Sequence, residues 1–130
     1  MNDDDLVSEA QDARKCAYAP YSRFSVGAAV RTRSGRVFTG GNVENASYGL
    51  SVCAERVAVF AAVAACERDI EAIAVATDEG APPCGACRQV LAEFGPAMRV
   101  ILVASSGRRR EFTLDELLPN AFTPADLGPR

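Results

Sequence analysis

Three cysteines in two clusters give this chain its chemistry: Cys53-Ala54-Glu55 and, further along, Pro83-Cys84-Gly85-Ala86-Cys87. This is a poor plan for disulfides and a good one for a zinc ion. Structural zinc sites are usually closed by four protein ligands, whereas catalytic ones use three and leave a position for water. The chain contains no histidine, so no imidazole can supply a fourth ligand. A lone C-x-x-C could be half of a structural zinc ribbon, but the second pair is missing. A redox dithiol at Cys84 and Cys87 would leave Cys53 and Glu55 unexplained. Cys16 and Cys66 are the remaining thiols. By helix rise Cys66 lies on the order of 20 Å from Cys53, and both are expected to be buried as small hydrophobes. Glu55 stands two residues after the first ligand, where it can take a proton from zinc-bound water and deliver it to a substrate.

These residues need elements to hold them. Residues 4–17 have apolar positions at Leu6, Val7, Ala10, Ala13 and Ala17, which predicts an amphipathic helix. Residues 24–33 and 36–42, with Ser34-Gly35 between them, predict a β-hairpin. Residues 42–51 read as a loop, 52–66 as a helix, 70–77 as a strand, 78–83 as a loop and 85–94 as a second helix. Strands over 99–104 and 109–112 follow, then a short helix over 113–118, where Thr113 and Glu116 form a capping-box pattern. The tail from Pro119 reads as irregular. The order αββαβαββα predicts one sheet with helices packed on it.

On this reading Cys53 starts one helix, and Cys84 and Cys87 bracket the start of another. Two positive helix ends then face the metal and favour thiolate. Three thiolates on Zn²⁺ leave a formal charge of −1, which makes bound water less acidic. The two dipoles offset this, as does Arg56 if its guanidinium donates to the cysteine sulfurs. After Arg56 the helix over 52–66 is apolar on every face (Val57-Ala58-Val59-Phe60-Ala61-Ala62-Val63-Ala64-Ala65-Cys66). A helix of that kind is buried all round, which predicts that a second copy of the chain covers part of it.

Composition bounds the rest. With 130 residues and a net charge of −3, residues 1–130 are expected to form one domain with its own core. The acidic balance argues against a protein whose main work is gripping nucleic acid, and Arg108-Arg109-Arg110 reads as the solvated flank of a hairpin. The apolar stretch 57–66 is too short to span a bilayer. The acidic start Asn2-Asp3-Asp4-Asp5 is wrong for a secretory signal. The expectation is a cytoplasmic protein with reduced thiols, and no nucleic-acid or membrane partner.

The chain resembles the small, homotetrameric, zinc-dependent type of cytidine deaminase. The resemblance runs almost end to end. It rests on Tyr21-Ser22-Arg23-Phe24-Ser25-Val26-Gly27-Ala28-Ala29, Gly41-Asn42-Val43-Glu44-Asn45-Ala46-Ser47-Tyr48-Gly49-Leu50, Cys53-Ala54-Glu55-Arg56, Pro83-Cys84-Gly85-Ala86-Cys87-Arg88-Gln89 and Leu117-Leu118-Pro119-Asn120-Ala121-Phe122. It implies an α/β fold of three αβα layers, with a five-stranded mixed sheet and helices on both faces. It also implies zinc-dependent hydrolysis of cytidine and deoxycytidine to uridine and deoxyuridine with release of ammonia, a step of pyrimidine salvage.

Carried onto this sequence, the resemblance makes Cys53, Cys84 and Cys87 the ligands of one zinc per chain, and Glu55 the proton shuttle while zinc-bound hydroxide attacks C4. Asn42 and Glu44 would hold the ribose 3′-hydroxyl, and Phe24 would pack beside base and sugar. Ala54 belongs to the substrate-binding set. Phe122, Ala46 and Tyr48 would complete the site of a neighbouring subunit in a tetramer with shared active sites, and Arg56 would compensate the charge of the all-cysteine ligand set. Competing readings are a related deaminase of a cytosine nucleoside antibiotic of the blasticidin S type, a zinc-dependent nucleic-acid-binding or editing module, and a purely structural zinc domain.

Overall fold

A computed structural model describes residues 2–129. Its elements are α1 (Asp3–Arg14), β1 (Gly27–Thr32), β2 (Val37–Gly41), α2 (Ala54–Ala64), β3 (Ile70–Ala76), α3 (Gly85–Phe94), β4 (Arg99–Val103), β5 (Arg109–Thr113) and α4 (Leu114–Leu117), with 3₁₀ turns at Tyr48–Leu50 and Pro124–Leu127. The order αββαβαββα is the expected one. The five strands form one sheet in the order β2-β1-β3-β4-β5. Only β3 and β4 run parallel; the other pairs are antiparallel. A parallel pair needs a crossover, and α3 supplies it.

Alternation along β3 sorts the two faces. Ala72, Ala74 and Ala76 join Leu6, Val7 and Ala10 of α1 in one core. Ile73 and Val75 point the other way, into a core with Ala54, Ala58, Val59 and Ala62 of α2 and Leu91 of α3. The alanine face admits α1 at close range. A Cβ on Gly27 would lie 2.1 Å from the carbonyl oxygen of Ala10, so only glycine fits there. Asn2 caps α1, its side-chain oxygen accepting from the backbone N–H of Asp5 at 2.9 Å. Asp3, Asp4 and Asp5 lie in the first turn, where the helix end favours negative charge.

Several boundaries differ from expectation. β1 begins at Gly27 rather than Phe24, because the preceding residues are tied sideways to the 42–44 segment by side chains. α2 ends at Ala64, and Cys66 beyond it takes the left-handed conformation at φ 64°. Cys66 therefore lies outside the helix and is exposed, as is Cys16 past the end of α1; neither is the buried hydrophobe expected. The tail carries a 3₁₀ turn where irregular chain was expected. α2 is not covered all round: Phe60 is 51% exposed. Among the described residues, no helix is long and apolar enough to cross a membrane.

Candidate active site

Two helix starts meet at one point. Cys53 is the extended residue just before α2, and Cys84 holds the same place before α3, with Cys87 inside its first turn. The three sulfurs all lie within 4.8 Å of one another. Cys53 Sγ is 4.0 Å from Cys84 Sγ, and Cys84 Sγ is 3.5 Å from Cys87 Sγ. Zinc–sulfur bonds of about 2.3 Å in a tetrahedron put sulfurs about 3.8 Å apart, so the donor set fits one zinc ion. Cys87 is buried, Cys53 half-buried and Cys84 exposed, which leaves one side of the cluster open to the cleft.

The electrostatics match that placement. The Cys53 thiol is held down to about 5, first by hydrogen bonding with Cys87 and then by Arg56. The same contact with Cys53, together with burial, pushes Cys87 up. Arg56 Nη2 donates to Cys53 Sγ at 3.4 Å, and its Nε is buried with no partner among the described residues. The guanidinium thus faces the sulfur of Cys53. Glu55 is 5% exposed, and burial raises its carboxyl above the ordinary range.

A cleft of about 250 Å³ opens over this cluster. It is lined by Phe24, Asn42, Glu44, Cys53, Glu55 and Cys84, with Ser22, Val26, Val75, Thr77, Ala81 and Pro82. The cleft sits at the carboxyl end of β3, beside the crossover to the parallel strand β4, where α/β sheets commonly bind ligands. Asn42 is nearly buried. Its Oδ1 accepts from Val26 N at 2.9 Å, and its Nδ2 donates to Phe24 O at 2.8 Å. One N–H and one lone pair of its amide remain. Glu44 Oε1 accepts from the backbone N–H groups of Tyr21 and Ser22 at 3.0 and 3.1 Å, and Oε2 accepts from the Ser22 hydroxyl.

Four of the residues named for substrate binding do not line this cleft. Ala54 is fully buried beneath it in α2, whereas Ala46 is exposed. Tyr48, 76% exposed, lines an adjoining hollow of about 320 Å³ with Tyr21, Ser22, Glu44 and Ser51. Phe122 is 59% exposed; Gln89 Nε2 holds its backbone oxygen at 2.9 Å. Sequence reasoning missed Ser22 and Thr77. Ser22 stands inside the Tyr21–Ala29 motif, which is the one signal that could have found it. Thr77 Oγ1 accepts from Gly80 N and Ala81 N at 2.8 and 2.7 Å and so shapes the loop leading to Cys84.

The family model described as "cytidine and deoxycytidylate deaminase zinc-binding region" matches residues 1–104. The cytidine deaminase of Halalkalibacterium halodurans is 53% identical over 126 residues, covering 95% of this chain and 96% of the relative. That of Sporosarcina psychrophila is 45% identical, with 98% and 96% covered. The crystal structure of cytidine deaminase from Burkholderia pseudomallei superposes with a TM-score of 0.90 at 50% identity, covering 94% of this chain and all of that one. The Mycobacterium tuberculosis enzyme gives 0.81 at 42% identity, with 94% and 98% covered. With a five-stranded mixed sheet, helices on both faces and a zinc-fitting Cys₃ cluster at two helix starts, this chain belongs to the zinc-binding cytidine and deoxycytidylate deaminase family.

Proposed function

We propose that residues 1–130 act as one deaminase domain that hydrolyses cytidine and deoxycytidine, with water, to uridine and deoxyuridine plus ammonia. The observation that carries this reading is the cleft itself. It joins two ends of a nucleoside's chemistry: a cysteine cluster with Glu55 at one end, and Phe24, Asn42 and Glu44 at the other. Cys53, Cys84 and Cys87 hold the zinc ion. The chemistry zinc supplies when bound is Lewis acidity, which makes a water nucleophilic near neutral pH.

Everything else falls to the chain's own residues. Glu55 takes a proton from the attacking water and passes it to ring N3 so that C4 accepts the attack; it then carries the proton of the new C4 hydroxyl to the departing amine, which leaves as ammonia while the C4 carbonyl forms. Its burial keeps bulk water from competing for that proton. Arg56 draws charge from the Cys53 sulfur. Asn42 and Glu44 bind the 3′-hydroxyl of the sugar, Phe24 packs beside base and sugar, and Ala54 forms the ground beneath the site. Phe122, Ala46 and Tyr48 complete the cleft of a neighbouring subunit in a homotetramer. Their exposure and the uncovered Phe60 side of α2 support that assembly, because a soluble chain rarely leaves so many large apolar groups bare without a partner. A cysteine cluster arranged for a metal rather than for disulfides supports a cytoplasmic setting.

The experiment is an ultraviolet assay of the zinc-loaded protein on cytidine and deoxycytidine, with cytosine and cytidine monophosphate as controls. Rapid conversion of the nucleosides alone is the expected result. No conversion by folded protein holding one zinc per chain would remove the assignment.

A further inference from the structure

Glu44 and Phe24 both line the cleft, and one small side chain holds the two. The Ser22 hydroxyl donates to Glu44 Oε2, and its oxygen accepts from the backbone N–H of Phe24 at 3.0 Å. Ser22 also gives its own backbone N–H to Glu44 Oε1. It lines both the cleft and the adjoining hollow under Tyr48. Between Ser22 and Phe24, Arg23 is held at φ 57°. That left-handed conformation is unfavourable for a residue with a Cβ, and it persists only where the surroundings over-determine it. Here the bonds on either side do so: Arg23 N donates to Ala19 O at 3.0 Å, and Ser22 and Phe24 are pinned as described.

Acceptor capacity then decides what Glu44 can bind. An ionised carboxylate offers about four acceptor positions. Tyr21 N and Ser22 N fill two on Oε1, and the Ser22 hydroxyl fills one on Oε2. Among the described residues these are the donors Glu44 has, so one position remains, on the oxygen that Ser22 orients. These donors, the Ser22 hydroxyl first, also hold the Glu44 carboxyl below the ordinary carboxylate range. The group is a fixed anion with room for one more donor. It complements a hydroxyl; it repels a phosphate and gains nothing from a bare methylene.

We propose that Ser22 is the positioning residue for sugar recognition: it orients Glu44 so that the remaining acceptor position takes a sugar hydroxyl, and by tying Glu44 to the Phe24 backbone it keeps the sugar and base contacts in register. This rests on the nucleoside deaminase reading above. The selected class is a nucleoside with a free 3′-hydroxyl.

The test compares deoxycytidine with 2′,3′-dideoxycytidine, which lacks only that hydroxyl, as substrates of the zinc-loaded protein and of Ser22→Ala and Ser22→Thr. The unsubstituted protein is expected to prefer deoxycytidine by about tenfold or more in kcat/KM, as a hydrogen bond to a charged group warrants. Ser22→Ala should shrink that preference to about threefold or less, through a KM raised more for deoxycytidine than for dideoxycytidine, whose smaller loss reports the Phe24 contact alone. Ser22→Thr, which keeps the hydroxyl, should retain the preference. Equal losses on both substrates in Ser22→Ala would make Ser22 a loop-holding residue only and overturn the proposal. An unchanged preference would overturn it as well. If Ser22→Ala does not fold or hold zinc, Ser22→Cys, of similar size and with a weak thiol donor, carries the same expectation. An unsubstituted protein inactive on both nucleosides would instead overturn the deaminase reading, and activity without any preference would remove Glu44 from the sugar.

Discussion

Glu55, at the floor of the cleft, is 5% exposed, whereas Tyr48 beside its rim is 76% exposed and Phe122 is 59% exposed. The floor is finished by one chain. Its ligands sit at two helix starts, and those helices are fixed by the sheet-side core. The rim is made of loops whose large aromatic groups have little of their own chain to pack against. Tyr21 and Tyr48 meet edge to face at 6.0 Å, a contact of the surface rather than the core. The difference separates two physical tasks. Proton transfer and metal binding need dry, fixed groups, and one small domain can supply them. Gripping a whole nucleoside takes more enclosing surface, and in the proposed assembly a neighbouring subunit adds it.

The largest test of that division falls on the floor. Glu55→Gln is expected to keep one zinc per chain while turnover drops by about 10²–10⁴-fold; metal analysis beside steady-state kinetics checks it. Substantial remaining turnover would remove Glu55 from the chemistry. Next, Arg56→Ala should weaken zinc retention by about 10–100-fold, as loss of a group that supports a metal ligand does. Competition with a chelator measures it, and unchanged retention would leave Arg56 as packing alone.

The exposed aromatic groups are tested by Phe122→Ala, expected on the shared-site proposal to lower kcat/KM by about tenfold through lost stacking, with zinc content unchanged. Mixing Phe122→Ala chains with Glu55→Gln chains sharpens the comparison. If subunits share sites, mixed assemblies contain some sites with both residues intact, and their activity should exceed the sum of the two parents. No such recovery would return the whole site to one chain. The smallest effect lies away from both regions. Cys66→Gly relieves the left-handed φ at the end of α2 and should stabilise the fold by about 0.5–1 kcal/mol, read by thermal unfolding, with kinetics unaltered.

Much of the floor is legible in the sequence. The positions of Cys53, Glu55, Cys84 and Cys87 at helix starts follow from local pattern, because alanine-rich and apolar-periodic segments begin right after them. The sheet was legible too, since β-branched runs and the Ser34-Gly35 turn mark strands by period. Boundaries were less so. The Phe24–Val26 stretch has strand composition, yet Asn42 takes the backbone N–H of Val26 and the carbonyl of Phe24, which a distant residue decided. Cys16 and Cys66 are exposed rather than buried for a related reason. Their burial depended on whether each helix continued past them, and both helices stop short.

The sequence by itself therefore determined the donor set and the order of elements, and marked Glu55 as the candidate acid/base, because residue type, spacing and periodicity are local properties. Only the tertiary structure decided that two helix starts separated by a strand bring three sulfurs within 4.8 Å, that Gly27 lets α1 lie against β1, and that Ser22 joins Glu44 to Phe24. Those are contacts between segments far apart in the chain, set by packing and hydrogen-bond geometry that no local pattern encodes.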